Sequence, residues 1–250
     1  MRKFIVAILA ILPLFTFAAG PSLNLDSAEN DLSDKESLKR GFRSYLTYCL
    51  ACHELQYQRY NRTFADLGID EKEGVANWMP TAEKSGEHIK NTMPAKAAAS
   101  WFGSTPPDLT LEARFRSPDY IYTYLRSFYV DESRPFGVNN TVFADVGMPH
   151  VLQNLQGIRT KVVTKPQVEA DEANGIEAQP EEFHLSAPTG GSMSEAEYDA
   201  FVRDLTNFLE YTAEPNKLER KSLGYWVIGF LLILLVLSYL LKKEYWKDVH

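Results

Sequence analysis

The sequence of 250 residues is poor in cysteine, with only two. That excludes a disulfide framework and a four-cysteine zinc site, both of which need at least a second pair. Long apolar runs are missing from the middle of the chain and confined to its two ends, so the average hydrophobic content of 45% describes neither part well. Positive charge is not in excess either. Lys and Arg number 26 against 33 Asp and Glu, for a net −7. An acidic field repels nucleic acid and attracts basic partners, so no nucleic-acid role is expected.

Phe4 to Phe17 is dominated by apolar residues, follows Arg2 and Lys3, and leads into Ala18, Ala19 and Gly20. It is short for a bilayer, but a basic start, a short apolar core and small residues at the exit are what export requires. Residues 1–20 are therefore expected to be a signal peptide. Leu223 to Leu241 carries no ionisable side chain except tyrosine and is closed by Lys242 and Lys243. This run is long enough to span. Three basic residues flank it on each side, so flanking charge does not orient it, but an exported N-terminus does. The expected organisation is an exported domain over 21–216, then an anchor and short cytoplasmic tail over 217–250. With +2 in the signal and +3 after residue 216, the total of −7 leaves −12 on residues 21–216. Six of those acids, from Glu169 to Glu182, sit beside Asn174, Gly175 and Pro180, which reads as an exposed loop.

The two cysteines lie in Cys49-Leu50-Ala51-Cys52-His53. This C-x-x-C-H run is the signature of c-type haem attachment: two thiols add across the haem vinyl groups and the following imidazole ligates iron. A thioredoxin-like pair would want a βαβ setting, and a zinc half-site would want a second ligand pair. Neither is found. Ser33 and Glu36 form an S-x-x-E box, after which Leu38, Phe42, Tyr45, Leu46 and Cys49 recur at helical spacing and deliver the first thiol from a helix end. Gly41, in mid-helix, implies a close helix crossing. Ser194 and Glu197 open a second helix with an apolar stripe through Tyr198, Val202, Leu205 and Leu209, ending before Pro215.

An electron-transfer haem needs a second axial ligand, and a thioether raises the potential relative to a second imidazole. The candidates are Met79, Met93, Met148 and Met193, with His88, His150, His184 and His250 on the nitrogen side. Met79, Met93 and Met148 each precede proline, which holds them in extended loops. Spacing does not choose among them, and His150 is a rival to Met148. Haem propionates want arginine or backbone donors. Arg114 and Arg116 follow Pro106-Pro107-Asp108-Leu109, and Ser117-Pro118 then opens a helix rich in tyrosine (Tyr120, Tyr122, Tyr124).

On these residues the chain resembles the cytochrome c1 family, the membrane-anchored haem subunits of ubiquinol–cytochrome c reductases. The resemblance is carried by Arg40-Gly41-Phe42 ahead of the C-x-x-C-H, by Pro106-Pro107-Asp108-Leu109 and its arginines, by Gly147-Met148-Pro149, and by Ser192-Met193-Ser194 through Ala213-Glu214-Pro215. It implies a mainly α, enlarged class I cytochrome c fold with long loop insertions and one C-terminal transmembrane helix. It also implies one covalent haem c on Cys49, Cys52 and His53, with Met148 rather than Met93 as the distal ligand. By the same resemblance Arg116 pairs with a propionate, Tyr120 lies near the haem and Pro107 packs on it. The implied activity is electron relay, non-catalytic on its own, from a Rieske iron–sulfur subunit to cytochrome c, beside cytochrome b. The implied location is a bacterial inner membrane with the haem domain on the periplasmic side. Another tail-anchored monohaem cytochrome, such as a subunit of a terminal oxidase or nitric oxide reductase, shares motif, signal and anchor, but the segments around Pro106 and Ser192 argue against it. A peroxidase would usually carry more than one haem motif. The stretch from Gln156 to Leu185 looks particular to this chain, with Ile158 to Val163 and Phe183 to Leu185 placed to pair as strands.

Overall fold

The computed structural model describes residues 24–165 and 181–247. The expected signal peptide, most of the acidic stretch from Glu169 to Glu182, and His250 lie outside the described residues.

The fold is organised by two helices far apart in sequence. Helix α1 (Lys35–Tyr48) leads into the cysteine motif, and α8 (Glu195–Ala213) packs along it. The contact is very close at Gly41, where a Cβ would stand 2.0 Å from the Asp204 carbonyl oxygen and 2.7 Å from the Phe208 Cβ. Phe42, with its ring 5.0 Å from Phe208 and 5.5 Å from Trp78, centres an aromatic core that takes in Tyr45 and Phe64. Such pairs add about 0.5–1.5 kcal/mol each beyond their buried area.

The start of α8 is as read, with Ser194 and Glu197 closing a reciprocal capping box. The start of α1 differs from expectation. Asp34 is its N-cap, accepting from the Ser37 N–H at 3.0 Å, while Ser33 bonds Asp31 and Glu36 pairs with Lys39. Aspartate is as good an N-cap as serine and, one residue later in the chain, it wins the position.

Between the two long helices come β1 (Leu55–Arg59), α2 (Tyr60–Leu67), α3 (Glu71–Asn77), β2 (His88–Ile89), α4 (Ala95–Phe102), α5 (Glu112–Phe115) and α6 (Pro118–Arg126). They are followed by β3 (Phe128–Val130), β4 (Val138–Asn140), α7 (Gln153–Gln156), β5 (Gly157–Ile158), β6 (Lys161–Lys165), β7 (Glu182–Leu185) and β8 (Thr189–Gly190). Among the described residues the strands form four separate antiparallel pairs, β1–β2, β3–β4, β5–β8 and β6–β7. The architecture is thus mainly α, as expected. Val162 pairs with His184 and Val163 with Phe183, so the anticipated hairpin is present, shifted to begin at Lys161.

A second, small core of Phe128, Val138 and Val146 lies under Tyr124 and Met148, and Tyr124 also packs against the main core. After Ala213 the chain turns through Glu214–Asn216 into α9 (Lys217–Tyr245), whose 29 residues are long and apolar enough to cross a membrane. Lys217 bonds Glu210, Arg220 bonds Glu214, and Arg62 reaches Asn216 at 2.9 Å, so the turn is held from both sides.

Candidate cofactor site

Helix α1 ends at Cys49, which caps it, and the next turn carries Cys52 and His53. Cys49 is buried, Cys52 is half-buried, and both thiols are free. Burial pushes the Cys49 thiol up to about 12 and Cys52 above its ordinary value as well. A redox C-x-x-C needs the opposite shift, a thiol lowered toward neutrality, so the electrostatics weigh against dithiol chemistry here.

The segment after the motif is fastened to Pro107–Thr110. Leu109 N–H donates to the Glu54 carbonyl at 2.9 Å, and the Asp108 carboxylate accepts from Gln56 N–H at 2.7 Å and Thr110 N–H at 2.9 Å. This zipper brings the Pro107 carbonyl to 2.8 Å from Nδ1 of His53. With Nδ1–H donated there, Nε2 is left as the free lone pair, the arrangement that orients a metal-binding imidazole. Burial also lowers the His53 pKa, the Pro107 bond opposing it, which favours the neutral ring that binds metal. The resemblance implies only a packing role for Pro107; its carbonyl is the added feature.

Helix α6 forms the next wall. Ser117 caps it, accepting from Tyr120 N–H, at φ 90° and ψ 153°, a conformation that L-residues rarely hold and that costs about 1–3 kcal/mol. The strained joint sets Arg116 and Tyr120 face to face, with the guanidinium donating to the Tyr120 hydroxyl at 3.0 Å and to Glu112 at 2.7 Å. Glu112 escaped the sequence reading, although its i,i+4 spacing to Arg116 on a helical turn was a usable signal. One turn beyond Tyr120, Tyr124 stacks beneath it at 6.2 Å and 11°. Burial pushes its hydroxyl well above the ordinary tyrosine range, so it keeps its proton.

The facing wall is the loop from Thr141 to Val151. Asn140 pins its start, donating to the Tyr124 carbonyl at 2.8 Å and accepting from Val142 and Phe143 N–H groups at 2.9 and 3.2 Å. Arg134 clamps Asp145 twice, at 3.0 and 2.7 Å. Met148 emerges from this loop half-buried, its sulfur 3.4 Å from the Tyr124 hydroxyl.

These walls enclose a largely apolar cleft of about 300 Å³ in which Cys49, Cys52, His53, Pro107, Arg116, Tyr120 and Met148 all meet, with Leu205 and Leu209 of α8 at its base. Of the candidate second ligands among the described residues, Met148 alone lines it. Met79 is buried in the main core and Met193 packs against that core, His88 bonds the Gln56 carbonyl, and His184 is exposed on β7. His150, the rival read from the sequence, turns out of the cleft and stacks flat on Phe128 at 4.7 Å and 3°. The donor set suits a haem: two thiols, an imidazole and a thioether line one largely apolar cleft together with a guanidinium.

A mainly α fold that gathers a C-x-x-C-H run and a methionine into one apolar cleft defines the class of c-type cytochromes. The Cytochrome C1 family matches residues 28–156 and 190–249, skipping the stretch that holds β5 to β7. Over its full length the chain is 49% identical to cytochrome c1 of Allochromatium vinosum, covering all of both chains. It is 40% identical to the ammonia monooxygenase gamma subunit of Nitrosomonas europaea, covering all of this chain and 99% of that one. To cytochrome c1 of Rhodobacter capsulatus it is 25% identical, covering 98% of this chain and 97% of the relative. The chain belongs to the cytochrome c1 family.

Proposed function

We propose that this protein is the haem electron-transfer subunit of a quinol–cytochrome c reductase, taking one electron at a time from a Rieske iron–sulfur subunit and passing it to a cytochrome c. The observation that carries the reading is the convergence of Cys49, Cys52, His53 and Met148 on one apolar cleft in a chain of this family. Haem c supplies a ferric/ferrous couple that holds and releases a single electron. Cys49 and Cys52 would hold the group by thioether links, and His53, its Nδ1 engaged by the Pro107 carbonyl, would offer Nε2 to the iron. Met148 would offer its sulfur from the loop between Thr141 and Val151. Arg116, with Tyr120 beside it, would pair with a propionate. Leu109, Leu205 and Leu209 keep water away from the group.

In the same reading residues 1–20 are a cleaved export signal, 21–216 form a periplasmic haem domain, and α9 anchors it in the inner membrane beside cytochrome b. The net −12 of residues 21–216 favours a basic acceptor.

The name of the Nitrosomonas relative favours a second reading, in which the same haem domain serves a monooxygenase assembly. Purification of the tagged protein in mild detergent, with reduced-minus-oxidised spectra and an assay of quinol-driven cytochrome c reduction, separates the two. Covalent haem copurifying with b-type haem and quinol activity is the expected result. Covalent haem without either overturns the reductase assignment, and no covalent haem overturns the haem reading itself.

A further inference from the structure

Tyr124 is held more firmly than a residue that merely fills space. Its ring is stacked under Tyr120 at 6.2 Å on one side and meets the edge of Phe128 at 5.2 Å and 74° on the other. Its carbonyl is fixed by Asn140 at 2.8 Å. A phenylalanine would keep every one of those contacts. What packing leaves unexplained is the hydroxyl, and that group makes a single hydrogen bond among the described residues, to the sulfur of Met148 at 3.4 Å. The neighbouring Tyr120 hydroxyl, by contrast, is engaged by Arg116.

A thioether sulfur has two lone pairs and is a weak acceptor. When one pair is given to iron the other stays available, so an O–H aimed at the sulfur and ligation by that sulfur are compatible. A hydrogen bond to the sulfur withdraws electron density from it and weakens it as a donor. The electron-poor ferric state loses more from this than the ferrous state, and hydrogen bonding around axial ligands is one of the levers by which a protein sets haem potential.

We propose that Tyr124 is a positioning residue which, by donating its hydroxyl to the Met148 sulfur, fixes the orientation of that thioether and raises the reduction potential of the bound haem. The inference rests on the reading of Met148 as the distal ligand. The sequence contained the parts, a tyrosine helix and a Met-Pro step, but not their contact across 24 residues.

The test uses the full-length protein purified in its complex, with Tyr124→Phe as the probe and Tyr122→Phe, on the same helix and outside the cleft, as the reference. Equilibrium with a one-electron mediator is read by absorbance, together with the methionine-to-ferric-iron charge-transfer band. Tyr124→Phe is expected to retain covalent haem and the band while shifting the equilibrium about three- to tenfold toward the ferric state, tenfold being 59 mV for one electron. Tyr122→Phe is expected to change it less than about twofold on the same scale.

A Tyr124→Phe equilibrium within twofold of the parent, or an equal shift in both variants, overturns the role of Tyr124 while leaving Met148 as ligand. A parent without the methionine band, or a band that survives Met148→Leu, overturns both. On the unmutated ferrous protein, a nuclear Overhauser contact between the Tyr124 hydroxyl proton and the Met148 methyl group is expected. Its absence rejects the hydrogen bond independently of any variant.

Discussion

Replacing Gly41 by alanine is expected to be among the most damaging single-methyl changes in the protein. An added Cβ would sit 2.0 Å from the Asp204 carbonyl oxygen, where an ordinary carbon–oxygen contact is about 3.3 Å. The obstacle is helix backbone rather than the end of a flexible chain, so α1 and α8 must separate by about 1.3 Å. The same separation loosens Phe42 and Tyr45 against Phe208, and a gap of 0.5–1 Å forfeits about a quarter to a half of such dispersion energy. Overpacking costs about 1–3 kcal/mol in general, and with the backbone as obstacle the upper end applies. Alanine returns up to about 1 kcal/mol through helix propensity. The net is about 2–3 kcal/mol, or roughly 5–10 °C in Tm for a domain of this size. Thermal unfolding of the purified protein, followed by loss of native haem absorbance, measures it. Gly86, whose Cβ would meet nothing within 4 Å and whose φ is unexceptional, supplies the matched control as Gly86→Ala. Should Gly41→Ala melt together with that control, the argument that the helix crossing demands glycine is wrong.

Asn140→Ala removes one donor bond and two acceptor bonds at the foot of the Met148 loop and is expected to cost about 2–3 kcal/mol, with faster amide exchange at Val142 and Phe143 as the local sign. Cys49→Ala with Cys52→Ala is expected to abolish haem staining on denaturing gels, whereas protein that still stains would refute thioether attachment at this motif. Acid is expected to weaken the start of α8. Hydrogen bonds from the Ser194 N–H and hydroxyl hold the Glu197 carboxyl below its usual value, so its contribution is present above about pH 4.5 and is lost as pH falls through the lowered folded value. Glu197→Gln keeps an acceptor without the titration, and stability–pH curves of the two proteins should converge in acid; parallel curves would exclude Glu197 from the acid response.

Local and repeating signals were legible in the amino-acid sequence. The amphipathic stripes of α1 and α8, the Ser194 capping box, the Ser117-Pro118 helix start and the apolar run inside α9 each depend on residues within a turn or two of one another. The α1 cap was misread because two adjacent residues, Ser33 and Asp34, can both serve, and only the backbone geometry decides. Contacts set by long loops were out of reach. The bond from His53 to Pro107 spans 54 residues, and no spacing rule predicts it. The choice between Met148 and His150 is of the same kind, since in a non-helical loop two residues two apart have no fixed relation, and here Phe128 takes the imidazole. Resemblance rather than periodicity selected Met148, whose side chain lines the same cleft as the cysteine motif.

The short turn at Glu214–Asn216 matters beyond its own ion pairs. Lys217 reaches back to Glu210, and Arg114 and Arg220 both approach Glu214, so the last turn of the packed helix and the first turn of the anchor are buckled together. The helix that lines the cleft with Leu205 and Leu209 is therefore the same helix that is tied to the first turn of the candidate span, so a displacement of that span has a direct path of contacts to the cleft wall.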